Sequence, residues 1–295
     1  MKPGSIKRLR QAAGTVVAPL AFMAGRALGS QRMLATAEAL DPQNFRTSLY
    51  RHGAAHPEIA QLLQAAALTA YATPANRSQV RDHLPAARGQ LLQDMFALIA
   101  TDFRHGGSFV EVGVGDGEYL SNTHMLEKHF GWQGLLIEPN VASHAAIRQC
   151  RSAPLDIRAA ASTSGMELVF EEVVGEGELS RLAGKTGHAV ADDQIRRYPV
   201  VSVRLDEALA QAKMPRRIDF LSLDTEGAEL DILAGLDLGV FSFSVMAIEH
   251  NYRPGVLDRL HQILAPHGYT QVLPQLSAFD AWFVHPDTAN MFSPR

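Results

Sequence analysis

Two hydrophobic periods alternate along this chain from about residue 108 onward. Short β-branched or aromatic runs are separated by segments whose apolar residues recur every three or four positions, the pattern of strands joined by crossover helices. Residues 109–114 predict a buried strand, and Gly113, Gly115 and Gly117 predict a tight turn directly after it. A helix-like segment then leads to a second strand that ends at Glu138. Residues 141–151 predict the next crossover helix, 156–161 a third strand and 165–170 a short extended piece at the edge. Residues 200–205 predict a strand, 206–212 a helix and 218–224 a fourth core strand, followed by a helix packed through Ala228, Ile232, Leu233 and Leu236. Residues 240–249 predict the fifth strand. Pro254 opens a helix with Val256, Leu257, Leu260, Ile263 and Leu264 on one face, and Gly268 stops it. Residues 269–273 and 279–285 supply a closing pair of strands. The pattern predicts an α/β fold with seven mostly parallel strands and helices on both faces.

Upstream of this region, residues 86–103 predict an amphipathic helix with Leu91, Leu92, Met95, Leu98 and Ile99 on one face. Residues 31–85 read as alanine-rich helices broken near Asp41-Pro42, His56-Pro57 and Thr73-Pro74. His52, His56 and His83 in this part lack the spacing of metal ligands. The chain therefore divides into residues 1–85, a basic leader with a helical extension, and residues 86–295, the domain that carries chemistry. Residues 171–199 hold four glycines and mixed charges and predict a long loop over a substrate. Arg196 and Arg197 on that loop are candidates for meeting an anionic substrate, solvated charge being the plainer reading.

Composition narrows the function classes. A chain of 295 residues, 46% hydrophobic, buries one large core and an appendage. The single cysteine, Cys150, suits a reducing, cytoplasmic setting and reads as a packed helix residue. A net charge of −4 argues against nucleic-acid binding. Charge is uneven, however: Lys2, Lys7, Arg8, Arg10, Arg26 and Arg32 face no acid before residue 38. That leader has the outline of a signal peptide but is too interrupted for a transmembrane span. It fits peripheral attachment of residues 1–32 to the anionic inner face of a membrane, or a flexible or locally packed leader.

A glycine turn feeding a helix, with an acid at the tip of the next strand, is a nucleoside-binding unit, in which Glu138 accepts from ribose hydroxyls. Counted from Gly113 or from Gly115, the third glycine of a dinucleotide fingerprint falls on Glu118 or Leu120. Glu111, Asp116 and Glu118 would also repel a pyrophosphate. They suit a cofactor with a cationic end, such as S-adenosylmethionine, whose amino group Glu111 is placed to receive.

Three segments carry a specific resemblance. Residues 109–117 read Phe-Val-Glu-Val-Gly-Val-Gly-Asp-Gly; residues 126–140 read Leu-Glu-Lys-His-Phe-Gly-Trp-Gln-Gly-Leu-Leu-Ile-Glu-Pro-Asn; residues 221–233 read Leu-Ser-Leu-Asp-Thr-Glu-Gly-Ala-Glu-Leu-Asp-Ile-Leu. Together they resemble the FkbM family of methyltransferases over about residues 89–286, the third segment being the most diagnostic. The resemblance implies a class I, Rossmann-like methyltransferase fold and O-methylation of a sugar, glycan or glycosylated or lipid-linked natural product. It implies a cofactor site at Glu111, Gly113, Gly115, Asp116, Ser121, Glu138, Pro139, Ala160 and Asp224, with Gln90 near it.

A sugar hydroxyl holds its proton tightly, so a base or a cation must assist. The first reading makes His250 or Asp224 the base. The second places magnesium or manganese on Asp224, Glu249 and Asn251. A third keeps Asp224 for the cofactor alone, with Glu226 and Glu229 as cap and surface. Other functions left open are a nicotinamide-dependent oxidoreductase on the same fold class and a non-catalytic, membrane-associated binding protein.

Overall fold

In a computed structural model, which describes residues 57–185, 190–288 and 292, the predicted alternation of strands and helices closes into one large sheet. Among the described residues the strands are β1 (Ser108–Val112), β2 (Gln133–Ile137), β3 (Leu155–Asp156), β4 (Ala159–Ala160), β5 (Glu167–Val173), β6 (Arg181–Leu182), β7 (Ile195–Val203), β8 (Arg217–Leu223), β9 (Ser242–Glu249), β10 (Thr270–Val272) and β11 (Asp280–Val284). The helices are α1 (Pro57–Thr69), α2 (Arg77–His83), α3 (Gln93–Ala100), α4 (His124–Phe130), α5 (His144–Cys150), α6 (Leu205–Gln211), α7 (Glu229–Ala234) and α8 (Val256–Leu264).

The main sheet runs β10-β11-β9-β8-β1-β2-β3. The four pairings from β9 to β3 are all parallel: β8 lies beside β9, β1 between β8 and β2, and β3 beside β2. The last strand, β11, inserts antiparallel between β9 and β10. This is the class I methyltransferase order. Phe109, Val110, Phe220, Leu221, Phe243, Val245 and Phe283 are fully buried. Each such side chain contributes about 1.5–3 kcal/mol of apolar burial. Because β1 is flanked by β2 on one side and β8 on the other, the chain leaves it in opposite directions. The crevice at that reversal is where an open α/β sheet binds its ligand.

Three expectations change. The third strand is not continuous: β3 stays with β2, while β4 leaves for a second sheet of order β4-β7-β5-β6. The loop predicted over 171–199 is shortened at both ends, since β5 runs to Val173, β7 begins at Ile195 and the two pair antiparallel, with the short β6 between them. Arg197 meets Glu171 at 3.0 Å and Asp192 at 2.6 Å, and Arg196 meets Glu172 at 3.4 Å. These ion pairs hold both arginines, whose side chains stay partly exposed. The third change is α3, which is shorter than predicted and has no solvent face: all eight of its residues are buried. Asp94 within it accepts from the backbone N–H groups of Arg88, Gly89 and Met95. Burial nevertheless pushes its carboxyl up to about 6.

The chain divides into two compact units, one from Ala86 to Met291 and one ending at Pro85 that Phe292 joins. In the latter, α1 and α2 bury Ala65, Ala67, Leu68 and Val80, and the Tyr71 ring lies 6.1 Å from that of Phe292. His83 closes α2. The basic leader, His52 and His56 lie outside the described residues. No helix among the described residues is long and apolar enough to cross a membrane.

The tightest point of the sheet is Gly113, with φ of +83°, where an added Cβ would sit 1.6 Å from the Asp224 carbonyl oxygen. Gly115, at φ +60°, would point a Cβ into open space. Gly113→Ala should therefore lose about 3 kcal/mol or more from backbone strain plus overlap, and Gly115→Ala only about 1–2 kcal/mol. Urea unfolding of the two variants checks this, and equal losses would contradict it.

Candidate active site

The strand tips at the reversal surround a cavity of about 530 Å³, within the range of small-molecule sites, roughly 300–1,000 Å³. Gly113, Val114 and Gly115 form one wall. On the β2 side stand Glu138, Pro139, Ala159, Ala160, Phe170 and Leu182; on the β8–β9 side stand Asp224, Glu226, Glu249 and Asn251. Gln90 also reaches it, as do Gln93, Tyr119 and Asn122.

Glu138 closes the glycine loop. Its Oε2 accepts from the N–H groups of Val114 at 2.8 Å and Gly115 at 3.1 Å, while Oε1 accepts from Asn140 N–H at 2.8 Å. Burial raises its pKa, and those three backbone donors oppose the rise. A carboxylate has about four acceptor positions, so three backbone bonds leave room for a hydroxyl. Gly115 leaves the space beside this carboxylate free of any Cβ. Pro139 and Ala160 continue the wall as expected. Residues 165–170 read as extended, but only the pairing of β5 with β6 and β7 places Phe170 and Leu182 at this wall.

The second sheet is tied to this wall. Tyr198 accepts from Val141 N–H at 3.0 Å and donates to Asn140 Oδ1 at 3.2 Å. Burial pushes the Tyr198 phenol up to about 12, so it remains a donor at neutral pH.

Glu111, Ser121 and Asp116 are placed differently from the expectation. Glu111 does not line the cavity; its carboxylate accepts from Ser121 Oγ at 3.0 Å, Asn122 N–H at 2.7 Å and Thr123 Oγ1 at 2.5 Å. The fully buried Arg151 side chain meets Glu111 at 3.3 Å and Glu127 at 2.9 Å. Every oxygen of Glu111 is therefore committed to protein donors that fix the turn before α4. Asp116 is exposed, and its Oδ1 accepts from the N–H groups of Glu118 and Tyr119 at 2.9 and 2.8 Å. It folds the loop locally and does not enter the cavity. Cys150 packs nearby, its Sγ 3.7 Å from the Asp116 carbonyl, and burial raises its pKa.

Carboxylates accumulate at the β8–β9 side. Burial, then the charges of Asp280, Glu226, Glu229 and Glu111, push the Asp224 carboxyl well above its ordinary value. Burial and the charges of Asp224, Glu226, Glu229 and Asp280 push Glu249 up to about 11. Asp280 rises to about 7 through burial, although Gln93 donates to it at 2.9 Å. Glu229 is buried, accepts from Thr225 and Gly227, and pairs with Arg253. Glu226 is buried too and lines the cavity, so neither acid is a surface residue. Glu226, Asn251 and Tyr252 all hold positive φ, at 54°, 49° and 51°. Such strain is concentrated where a ligand is clamped.

His250, expected as a base, is not among the cavity-lining residues. Its Nδ1 accepts from Tyr252 N–H at 3.0 Å, and the ring also bonds the Asp280 backbone. Burial lowers its pKa, the bond to the Asp280 backbone opposes that shift, and the Arg253 charge adds to it. The three residues of the cation reading, Asp224, Glu249 and Asn251, all line the cavity. Asn251 donates its amide to Glu226 at 3.4 Å, and among the described residues no three His, Cys, Asp or Glu are grouped to hold a metal.

The buried Glu111–Arg151–Glu127 network makes a direct prediction. Arg151→Met strands two buried carboxylates and should cost about 3–5 kcal/mol in chemical denaturation. Asp116→Ala, at an exposed turn, should cost about 1 kcal/mol or less. A loss below about 1 kcal/mol for the arginine variant would contradict the bracing role.

No curated protein matches the chain. Among solved structures, an FkbM methyltransferase from Methylobacillus flagellatus KT aligns with 13% identity and a TM-score of 0.43, covering 78% of this chain and 60% of that one. Precorrin-6y C5,15-methyltransferase from Geobacter metallireducens GS-15 aligns with 12% identity and a TM-score of 0.32, covering 60% and 71%. An S-adenosylmethionine-dependent methyltransferase from Aquifex aeolicus aligns with 10% identity and a TM-score of 0.29, covering 74% and 95%. The family model of the FkbM methyltransferase domain matches residues 111–270, more than half of the chain. That span holds the glycine loop, Glu138, Asp224 and Glu249, and the chain belongs to the FkbM methyltransferase family.

Proposed function

We propose that this chain is an S-adenosylmethionine-dependent methyltransferase acting on a hydroxyl oxygen of a sugar, glycan or glycosylated natural product. The observation that carries the reading is the two-sided cavity, with a glycine loop and Glu138 on one side of β1 and the carboxyls of Asp224, Glu226 and Glu249 on the other.

The residues present fit the cofactor. Glu138 has acceptor capacity for a ribose hydroxyl, Gly115 leaves room beside it, and Pro139, Ala160, Phe170 and Leu182 offer an apolar slot for a base. Buried acceptors without partners, Asn122 Oδ1 and Glu249 Oε2, await donors or positive charge. When bound, S-adenosylmethionine supplies a methyl group already activated by its sulfonium. The protein's share is alignment, exclusion of water and removal of the hydroxyl proton.

Asp224 is the base in this reading. It lines the cavity, and burial among other acids makes its carboxylate more basic than usual. Glu249 stands one strand further out, and Gln90, Asn251 and Tyr119 are placed to orient an acceptor. His250 is left the task of holding the Asn251–Tyr252 turn.

Calorimetric titration with S-adenosylmethionine tests the cofactor. Binding should appear, no binding of a nicotinamide dinucleotide should accompany it, and Glu138→Gln should weaken it by about 1–2 kcal/mol. On an accepted hydroxyl substrate, Asp224→Asn should lower the rate about 10²–10⁴-fold, and a chelator should leave turnover intact. Loss of turnover with chelator and rescue by magnesium would return the role to a cation on Asp224 and Glu249.

A further inference from the structure

Six carboxylates, those of Glu138, Glu176, Glu178, Asp224, Glu226 and Glu249, line the cavity against a single arginine, Arg181, which itself lies 3.6 Å from Glu171. Most acids around the β8–β9 tips already have a partner. Glu111 and Glu229 hold Arg151 and Arg253, Asp280 accepts from Gln93, and Glu226 accepts from Asn251. Asp224 and Glu249 are the exceptions. No hydrogen bond or ion pair of their side chains is found among the described residues, and Glu249 Oε2 is fully enclosed while the residue is only 5% exposed.

Their position is equally specific. Asp224 follows β8 directly, and its carbonyl lies against Gly113 of the glycine loop. Glu249 ends β9, the neighbouring strand, with Leu223 and Ile248 in register. The pair thus sits across β1 from Glu138, beyond the nucleoside wall and before the acceptor side. A cofactor whose ribose is held by Glu138 would extend across β1 toward this pair.

We propose that Asp224 and Glu249 recognise the positive charge of the cofactor's sulfonium, so that the site holds the methyl donor more tightly than the uncharged thioether product. The inference rests on the methyltransferase reading above and adds a property which that reading does not require. A desolvated carboxylate pair without a counter-ion is unfavourable by itself. A fixed cation relieves it and is bound more firmly for doing so. On methyl transfer the carbon–sulfur bond breaks and the new bond forms to the acceptor oxygen. The electron pair of the broken bond stays on sulfur, and the hydroxyl proton passes to a carboxylate of the pair. Charge is conserved, but the cation that the ligand brought is gone, and with it one reason for the ligand to stay. The amino group is common to donor and product, so recognition of that group alone would not distinguish them.

Calorimetric Kd values for S-adenosylmethionine, S-adenosylhomocysteine and sinefungin, whose amine places a positive charge at the methyl position, test this on the full chain. The two ligands charged at that position should bind about 10-fold or more tightly than the thioether. In Glu249→Gln, and separately in Asp224→Asn, the gap should shrink to about 3-fold or less, while the thioether affinity stays within the same range. Both substitutions keep shape and remove a buried charge, so folding should survive, which a thermal melt confirms. Thioether binding as tight as that of the donor, or a gap untouched by both substitutions, would overturn the inference and leave the methyltransferase reading standing. Failure of all three ligands to bind would overturn both.

Discussion

The contact between Gly113 and the Asp224 carbonyl is the constraint on which the remaining site geometry depends. Two parallel strands, β1 and β8, end side by side, and their backbones approach so closely that no side chain fits between them. That approach turns the chain out of the sheet at Gly113, brings the loop amides of Val114 and Gly115 under Glu138 and sets Asp224 at the floor of the cavity. A single Cβ at this position would push apart the nucleoside side and the acceptor side together. The positive φ alone would have been tolerable in an open loop; the overlap is what makes the residue irreplaceable.

Around this point the protein uses its buried acids in two distinct ways. Glu111 and Glu229 are saturated with donors and an arginine each, and they fix the turns that follow β1 and β8. Such closed networks are expensive to break and give shape. Asp224 and Glu249 have no such partners, and their carboxyls are driven upward by burial and by one another's neighbourhood. Stability would favour apolar residues at these two places. Two titratable groups with shifted pKa values and no protein partner in a cavity are the pattern of a site built for a ligand. The second sheet, bonded through Tyr198 to the Asn140 region, completes the wall on the other side with Phe170 and Leu182.

Much of this was legible in the sequence because the relevant signals are local. β1, β2, β8 and β9 announced themselves as runs rich in β-branched, aromatic and aliphatic residues, and the glycine triplet with Glu138 marked the nucleoside side. What was not legible depends on pairing between distant strands. Arg196 and Arg197 looked like free charges until β5 and β7 set them against Glu172 and Glu171. Glu111 looked like a ligand group, since nothing in its own strand reveals that Arg151, forty residues later, would fold under it. His250 has the residue type of a base, but its ring is consumed by Tyr252 and the Asp280 backbone, which only the fold brings together. The buried run of α3 was likewise read as one-sided, because a sequence period shows one covered face and cannot show the layer that covers the other.

Hydrogen–deuterium exchange of the full chain, with and without S-adenosylmethionine, tests most directly whether the strand tips around β1 form the cofactor site. Protection should appear in the glycine loop at residues 113–119, at residues 138–141 after β2 and at residues 224–228 after β8, with α6 and α8 unchanged. Binding without protection in the glycine loop and after β2, or protection confined to other surfaces, would contradict it.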